Sequence, residues 1–266
     1  MEMTFAKWEG TGNDFIVLDD RAGRFPTEDR ELIQRLCHRH LGIGSDGILL
    51  IQTPRSGDEA YQLDFLNPDG SRSFCGNGSR CGFAFWRKLM GEDPMSMNGV
   101  HVEAAFMAID GRHHARMADF GVVAIDMRVS PAIEHLAEDL DLLDTGSPHL
   151  LVWVEDPEQV DLLSLARGHR YGPRFARSGV NVNAVAIMDG QVRMRTYERG
   201  VEDETLSCGT GVTAAAVGAV ARGLVPPGRV PVGTRGGDLW VEVPEMGDGV
   251  ELAGPVREVY TGNIFI

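Results

Sequence analysis

The chain reads as short apolar runs separated by glycine-rich turns. Phe5-Ala6-Lys7-Trp8, Phe15-Ile16-Val17-Leu18, Ile48-Leu49-Leu50-Ile51 and Tyr61 to Leu66 each have strand length and end in turn residues. Between the second and third runs, Pro26-Thr27 opens a helix predicted to reach about His40, with Thr27 as its N-cap. After the turn Asn67-Pro68-Asp69-Gly70 comes a helix headed by Cys75 and carrying Phe83-Ala84-Phe85-Trp86. Asp110-Gly111 joins two strands near residues 100–119 into a hairpin. The second half has the same order: the strand Leu150 to Val154, a helix over 157–169 and the strand Ala184 to Ile187. The turn Asp189-Gly190, the strand Val192 to Tyr197 and a helix headed by Cys208 follow.

Three features recur at nearly one offset. Cys75-Gly76-Asn77-Gly78 matches Cys208-Gly209-Thr210-Gly211, at 208 − 75 = 133 residues. Thr11-Gly12-Asn13 matches Thr145-Gly146-Ser147 at 146 − 12 = 134, and Leu63 to Asn67 matches Met194 to Glu198 at 198 − 67 = 131. A constant offset across separate motifs implies internal duplication. The run Val212 to Val220 is apolar or small nearly all round, so that helix is expected to be buried on every side. The predicted class is α+β, with two pseudo-symmetric domains. Each is a strongly curved, mostly antiparallel sheet around a central helix. The expected division is 1–118 and 119–255.

Composition narrows the function classes. A net charge of −14 argues against nucleic acid as a main partner. No apolar run has membrane-spanning length, and Met1-Glu2-Met3-Thr4 lacks the start of a signal peptide, so a cytoplasmic protein with no membrane partner is expected. The four cysteines (37, 75, 81 and 208) have no framework spacing and should be free thiols in a reducing compartment.

Cys75 and Cys208 carry the candidate chemistry. Each stands at a helix N-terminus in a glycine-rich approach, where unpaired N–H groups and the helix dipole favour a thiolate. The same N–H groups would hold a carboxylate. Cys37 and Cys81 lie inside helical runs and read as small core residues. Gly42-x-Gly44-x-x-Gly47 matches the dinucleotide fingerprint in letters, but it follows a helix and precedes a strand, the reverse of the required context. No Cys/His set has zinc-ligand spacing, so no metal is expected. Among eight histidines only His149, in the repeat counterpart of Asn13-Asp14-Phe15, stands out. Glu198-Arg199 ends a strand ten residues before Cys208, as Asn67 ends one eight residues before Cys75. The acidic loop Glu202-Asp203-Glu204 reads as solvated.

These stretches resemble the diaminopimelate epimerase family. The resemblance rests on Gly12-Asn13-Asp14-Phe15, Gly42-Ile43-Gly44-Ser45-Asp46-Gly47, Asn67-Pro68-Asp69-Gly70, Cys75 to Cys81, Ser147-Pro148-His149, Val180-Asn181, Tyr197-Glu198-Arg199-Gly200 and Glu204 to Gly211. It implies an active site in the interdomain cleft, a homodimer, a final strand (about 256–266) crossing back to the first domain, and catalysis without pyridoxal, metal or other cofactor. It also implies that Cys75 and Cys208 form a base/acid pair that converts LL-2,6-diaminopimelate to the meso form. By position, Asn13, Asn67, Asn181 and Arg199 would hold the distal end of the substrate. Backbone N–H groups of Gly76, Asn77, Gly209 and Thr210 would hold the reacting carboxylate. His149 and Glu198 would meet the α-amino group and tune the thiols. Ser147 stands where the family often has Asn, Gly47 where some members have Gln, and the loop Val201 to Glu204 looks one residue longer. A racemase of another amino acid on the same scaffold, or a non-catalytic ligand-binding or thiol-redox protein, stays open at this point.

Overall fold

The short apolar runs form strands, and a buried helix lies against many of them at once. The computed structural model describes residues 2–55, 57–130, 132–246 and 249–266. Its contacts divide the chain into two units, Met1–Ile125 with Gly254–Ile266, and Asp126–Ala253.

The first unit starts with the antiparallel pair β1 (Glu2–Gly10) and β2 (Asn13–Asp19). Helix α1 (Arg30–Cys37) leads to β3 (Gly47–Gln52), parallel to β2, and β4 (Tyr61–Leu66) returns antiparallel to β3. Helix α2 (Gly76–Leu89) follows. Then β5 (Glu103–Ala108) lies parallel to β4, and β6 (Gly111–Asp119) and β7 (Val122–Asp126) continue as an antiparallel meander. Because β7 pairs with β6, the unit runs past the expected end at residue 118 to Ile125.

The second unit repeats these pairings. β8 (Glu134–Ala137), β9 (Leu140–Asp144) and β10 (Pro148–Trp153) are antiparallel neighbours. A single 3-10 turn (Pro157–Gln159) and α3 (Leu162–Arg170) precede β11 (Asn181–Met188), parallel to β10. β12 (Gln191–Glu198) and the short β13 (Asp203–Thr205) extend it antiparallel. After α4 (Gly209–Ala221), β14 (Gly228–Thr234) lies parallel to β12, followed by antiparallel β15 (Gly237–Val243) and β16 (Glu251–Pro255). β17 (Arg257–Phe265) belongs to the first unit, paired antiparallel along β1.

Helix α2 packs against β1, β2, β3, β4 and β6, and α4 against β9, β10, β11, β12, β14 and β15. Each sheet therefore curves around one helix. This is why α4 can be apolar on every side: Val212, Ala214, Ala215, Ala216 and Ala219 are all fully buried. α1 is amphipathic instead, and packs Leu32, Ile33 and Leu36 onto Ile16, Leu18, Ile48 and Leu50.

Four local expectations change. The cap of α1 is Asp29, which accepts from Leu32 N at 3.0 Å; Pro26-Thr27 lies in the turn before it, and the helix ends at Cys37, short of His40. The helix expected over 157–169 splits at Val160-Asp161, and the Asp161 side chain caps α3. β11 begins at Asn181, three residues before the expected Ala184, so Asn181 and Asn183 point to the same side of one strand. The acidic loop is not simply solvated: Glu202 accepts from Arg170 at 2.8 Å, and Glu204 pairs with Arg195 at 2.7 Å and Arg235 at 2.9 Å.

Candidate active site

Each unit offers one cysteine at the mouth of its central helix. Cys75 N-caps α2 with extended backbone (φ −135°, ψ 109°), and its Sγ accepts from Gly78 N at 3.3 Å. Cys208 N-caps α4 with nearly the same backbone (φ −128°, ψ 112°) and lies 3.4 Å from Thr210 Oγ1. Gly76 and Asn77, and likewise Gly209 and Thr210, are the first two residues of each helix, where N–H groups point away from the helix body. None of the four cysteines is in a disulfide. Cys37 and Cys81 are buried, and burial pushes both thiols up, away from thiolate chemistry.

In the first unit the cap is backed by a polar bracket. Asn77 is fully buried and donates from Nδ2 to Asn13 Oδ1 at 3.0 Å. Its own Oδ1 accepts from Arg80 Nη2 at 2.6 Å. Arg80, buried one turn into α2, also donates to Thr11 Oγ1 at 3.1 Å and to Pro255 O at 2.9 Å. Burial lowers its pKa to about 10, so it stays charged at neutral pH. Asn13 donates to Asp46 Oδ2 at 2.6 Å, and Asp46 also takes Asp14 N at 3.2 Å and Arg39 Nη2 at 2.7 Å. Burial raises the Asp46 pKa, with the Asp14 charge adding to it against the Asn13 hydrogen bond. Burial also pushes Asp14 up, but hydrogen bonds from Arg39 and Lys7 outweigh it and bring Asp14 down to about 2. The Gly42–Gly47 loop is thus a bracket for Asn13. A side chain at Gly47 would stand 2.3 Å from the Phe65 ring. Asn67 bonds within its own turn, donating to Ser71 O and Oγ at 3.1 Å and Ser73 Oγ at 3.0 Å.

In the second unit, Asn181 donates from Nδ2 to Ser147 Oγ at 2.8 Å and Pro148 O at 3.1 Å, while its Oδ1 accepts from Arg199 N at 2.8 Å. The exposed Arg199 guanidinium reaches Ser178 O at 3.1 Å and Ser147 Oγ at 3.4 Å. Ser147 therefore ties together two of the expected binding residues. Glu198 is the last residue of β12, and its carbonyl accepts from Glu202 N at 2.8 Å. His149 is fully buried, with Nε2 2.8 Å from Thr210 Oγ1 and Nδ1 3.2 Å from Asn183 Nδ2. Burial pulls its pKa down to about 3, with the Arg199 charge adding to the effect against the Asn183 hydrogen bond, so the ring is neutral.

The structure thus gathers Asn13 and Asn77 in one unit, and Asn181, Arg199, His149, Thr210 and Cys208 in the other. Arg80, Asp46 and Asn183 were not foreseen as supports. The available signal was a charged or amide residue inside an otherwise apolar or small-residue stretch. Among the described residues no group of three or more His, Cys, Asp or Glu side chains could hold a metal, and no helix is long and apolar enough to cross a membrane.

Curved-sheet units around central helices define a known fold class. The chain superposes on a hydroxyproline epimerase from Agrobacterium vitis with TM-score 0.70 at 18% identity, covering 99% of this chain and 92% of that one. It superposes on a phenazine biosynthesis protein from Bacillus anthracis with TM-score 0.70 at 11% identity over 100% of both chains. Sequence comparison is more specific. The diaminopimelate epimerase family model matches residues 5–109 and 142–259, and the chain belongs to that family. It is 36% identical to the diaminopimelate epimerase of Flavobacterium psychrophilum over 98% of this chain and 100% of that one. It is 35% identical to that of Aquifex aeolicus over 98% of each.

Proposed function

We propose that this chain epimerises LL-2,6-diaminopimelate to the meso form without pyridoxal or metal, using Cys75 and Cys208 as the acid/base pair. The observation that carries the reading is the matched placement of the two cysteines, each at the N-cap position of a buried helix with nearly identical extended backbone, in a member of this family. A thiolate takes the Cα proton from one face, and a thiol donates its proton to the opposite face. One C–H bond breaks and one forms, and thiol and thiolate exchange roles. The Cα proton is very weakly acidic, so developing charge needs donors positioned before the reaction. Backbone N–H groups at Gly76, Asn77, Gly209 and Thr210 meet the α-carboxylate in this reading. Asn13, Asn67, Asn181 and Arg199 recognise the distal amino-carboxylate, Glu198 borders the α-amino group, and the buried His149 tunes the Cys208 thiol through Thr210. The reading requires both thiols to reach one carbon.

A cytoplasmic location and a homodimer belong to the same proposal; sizing should give twice 29.0 kDa. The test is Cα deuterium exchange with a panel of amino acids. Exchange with diaminopimelate alone supports the reading. Exchange only with a different amino acid makes the chain a racemase of that compound, and exchange with none makes it a binding or redox protein.

A further inference from the structure

Cys208 lies at the end of a buried hydrogen-bond chain whose proton positions follow from the acceptors at its far end. The chain runs through Thr196, Asn183, His149 and Thr210, which are 3%, 0%, 0% and 9% exposed. Asn183 Nδ2 lies 3.1 Å from the carbonyl of Leu150, which can only accept, so that atom is the amide nitrogen. Its oxygen accepts from Thr196 Oγ1 at 3.0 Å. The same NH2 group faces His149 Nδ1 at 3.2 Å, so Nδ1 is the bare acceptor and the ring proton sits on Nε2. Asn181 agrees with this. Its Nδ2 approaches Nε2 at 3.4 Å, but both of its protons already go to Ser147 and Pro148. His149 Nε2–H therefore donates to Thr210 Oγ1 at 2.8 Å, and with that lone pair occupied, the Thr210 proton is free to turn to Cys208 Sγ at 3.4 Å.

We infer that Asn183 is a positioning residue for catalysis: it fixes the Nε2–H tautomer of His149, so that the Thr210 hydroxyl donates to the Cys208 thiolate. The inference rests on the acid/base role proposed for Cys208. Packing supports it independently. A Cβ at Gly211 would stand 2.9 Å from Asn183 Oδ1 and 3.2 Å from His149 Cε1, so glycine in the Cys208 motif leaves room for this chain as well as for a ligand. The charge bearing on His149 is Arg199, which opposes ring protonation.

The test uses the full-length protein. In wild type with 15N-labelled histidine, ring shifts of His149, assigned by their loss in His149→Gln, are expected to report bare Nδ1 and protonated Nε2. In Asn183→Asp the carboxylate can only accept, so it draws the proton to Nδ1; Nε2 then takes the Thr210 proton away from sulfur. The midpoint of Cys208 alkylation by iodoacetamide, followed on its peptide by mass spectrometry, is expected to rise by about one pH unit. Cys75 alkylation keeps its midpoint, and Thr210→Val reproduces the Cys208 shift. The double variant shifts no further than either single one, because both break the same chain. A wild-type His149 protonated on Nδ1, or an unmoved Cys208 midpoint in folded Asn183→Asp, overturns the inference. If Asn183→Asp does not fold, the wild-type spectrum and Thr210→Val still decide. Wild type without Cα exchange defeats the proposed function while leaving the tautomer measurable; exchange with an unshifted thiol defeats the relay alone.

Discussion

Asn13 donates to Asp46 at 2.6 Å, while its carbonyl oxygen takes the amide of Asn77 at 3.0 Å. A candidate substrate-binding residue is thus oriented from both ends, by a loop carboxylate and by the first turn of α2. Removing Asp46 should leave the thiols intact and free Asn13 to rotate. Asp46→Ala is expected to raise KM for diaminopimelate about tenfold, in line with one lost hydrogen bond to a charged group, and to change kcat far less. Steady-state kinetics check this; an unchanged KM would mean that Asn13 is held in other ways.

Asp141 anchors the far end of α4. It is fully buried and accepts from Arg222 Nε at 2.5 Å and Nη2 at 3.0 Å, from Trp153 Nε1 at 2.7 Å, and meets His135 Nδ1 at 2.6 Å. Burial pushes its pKa up, but these hydrogen bonds outweigh burial and hold it below the usual carboxylate range. A carboxyl with a lower pKa folded than unfolded stabilises fully above its unfolded value, about 4, and loses that contribution as pH falls through the folded value. Asp141→Asn should cost about 3 kcal/mol at pH 7, and the gap to wild type should close as pH falls below about 4. Urea titrations across pH measure this gap; a constant difference would exclude Asp141 as its source.

Two glycines in helices should respond oppositely to alanine. At Gly211 the new Cβ would crowd Asn183 and His149, whereas at Gly168 in α3 nothing lies within 4 Å. Gly211→Ala is expected to destabilise by about 1–3 kcal/mol and to lower activity. Gly168→Ala should stabilise by about 0.5–1 kcal/mol with activity unchanged. Chemical denaturation and assay of both variants decide whether the space around Gly211 is used.

The scaffold was legible because its signals are local. Asp189-Gly190 reads as a two-residue turn, and it joins β11 to β12, with Met188 opposite Gln191 and positive φ at both turn residues. The all-round apolar run after Cys208 reads as a buried helix because only an enclosed helix can carry it. The supports of the site were less legible because they depend on register. Asn183 looks like a polar residue before a strand, and it becomes part of the site only once β11 starts at Asn181 and lies parallel to β10, with Asn183 opposite Leu151. Arg80 is a single charge inside α2, and its buried role depends on the sheet that packs over the helix and on the Pro255 carbonyl 175 residues away. The acidic loop misleads for the same reason, since Arg170 and Arg235 arrive from distant positions and Arg195 from the neighbouring strand β12.

The two thiols should be individually required. Cys75→Ser and Cys208→Ser are each expected to lower kcat/KM by about 10³-fold or more, the scale of a lost general acid or base, with circular dichroism unchanged. Cys37→Ser and Cys81→Ser should cost stability and leave kcat near wild type. Full turnover by either of the first two variants would remove that residue from the chemistry.

Isotope partition at early conversion tests the two-thiol account most directly. With LL-diaminopimelate in deuterium oxide, the abstracted proton stays on one sulfur, while the other delivers solvent-derived deuterium. The account predicts one deuterium at Cα of the meso product from the first turnovers and almost none in recovered LL substrate. Deuterium entering recovered substrate as fast as product would point to a single base and contradict the pairing of Cys75 with Cys208.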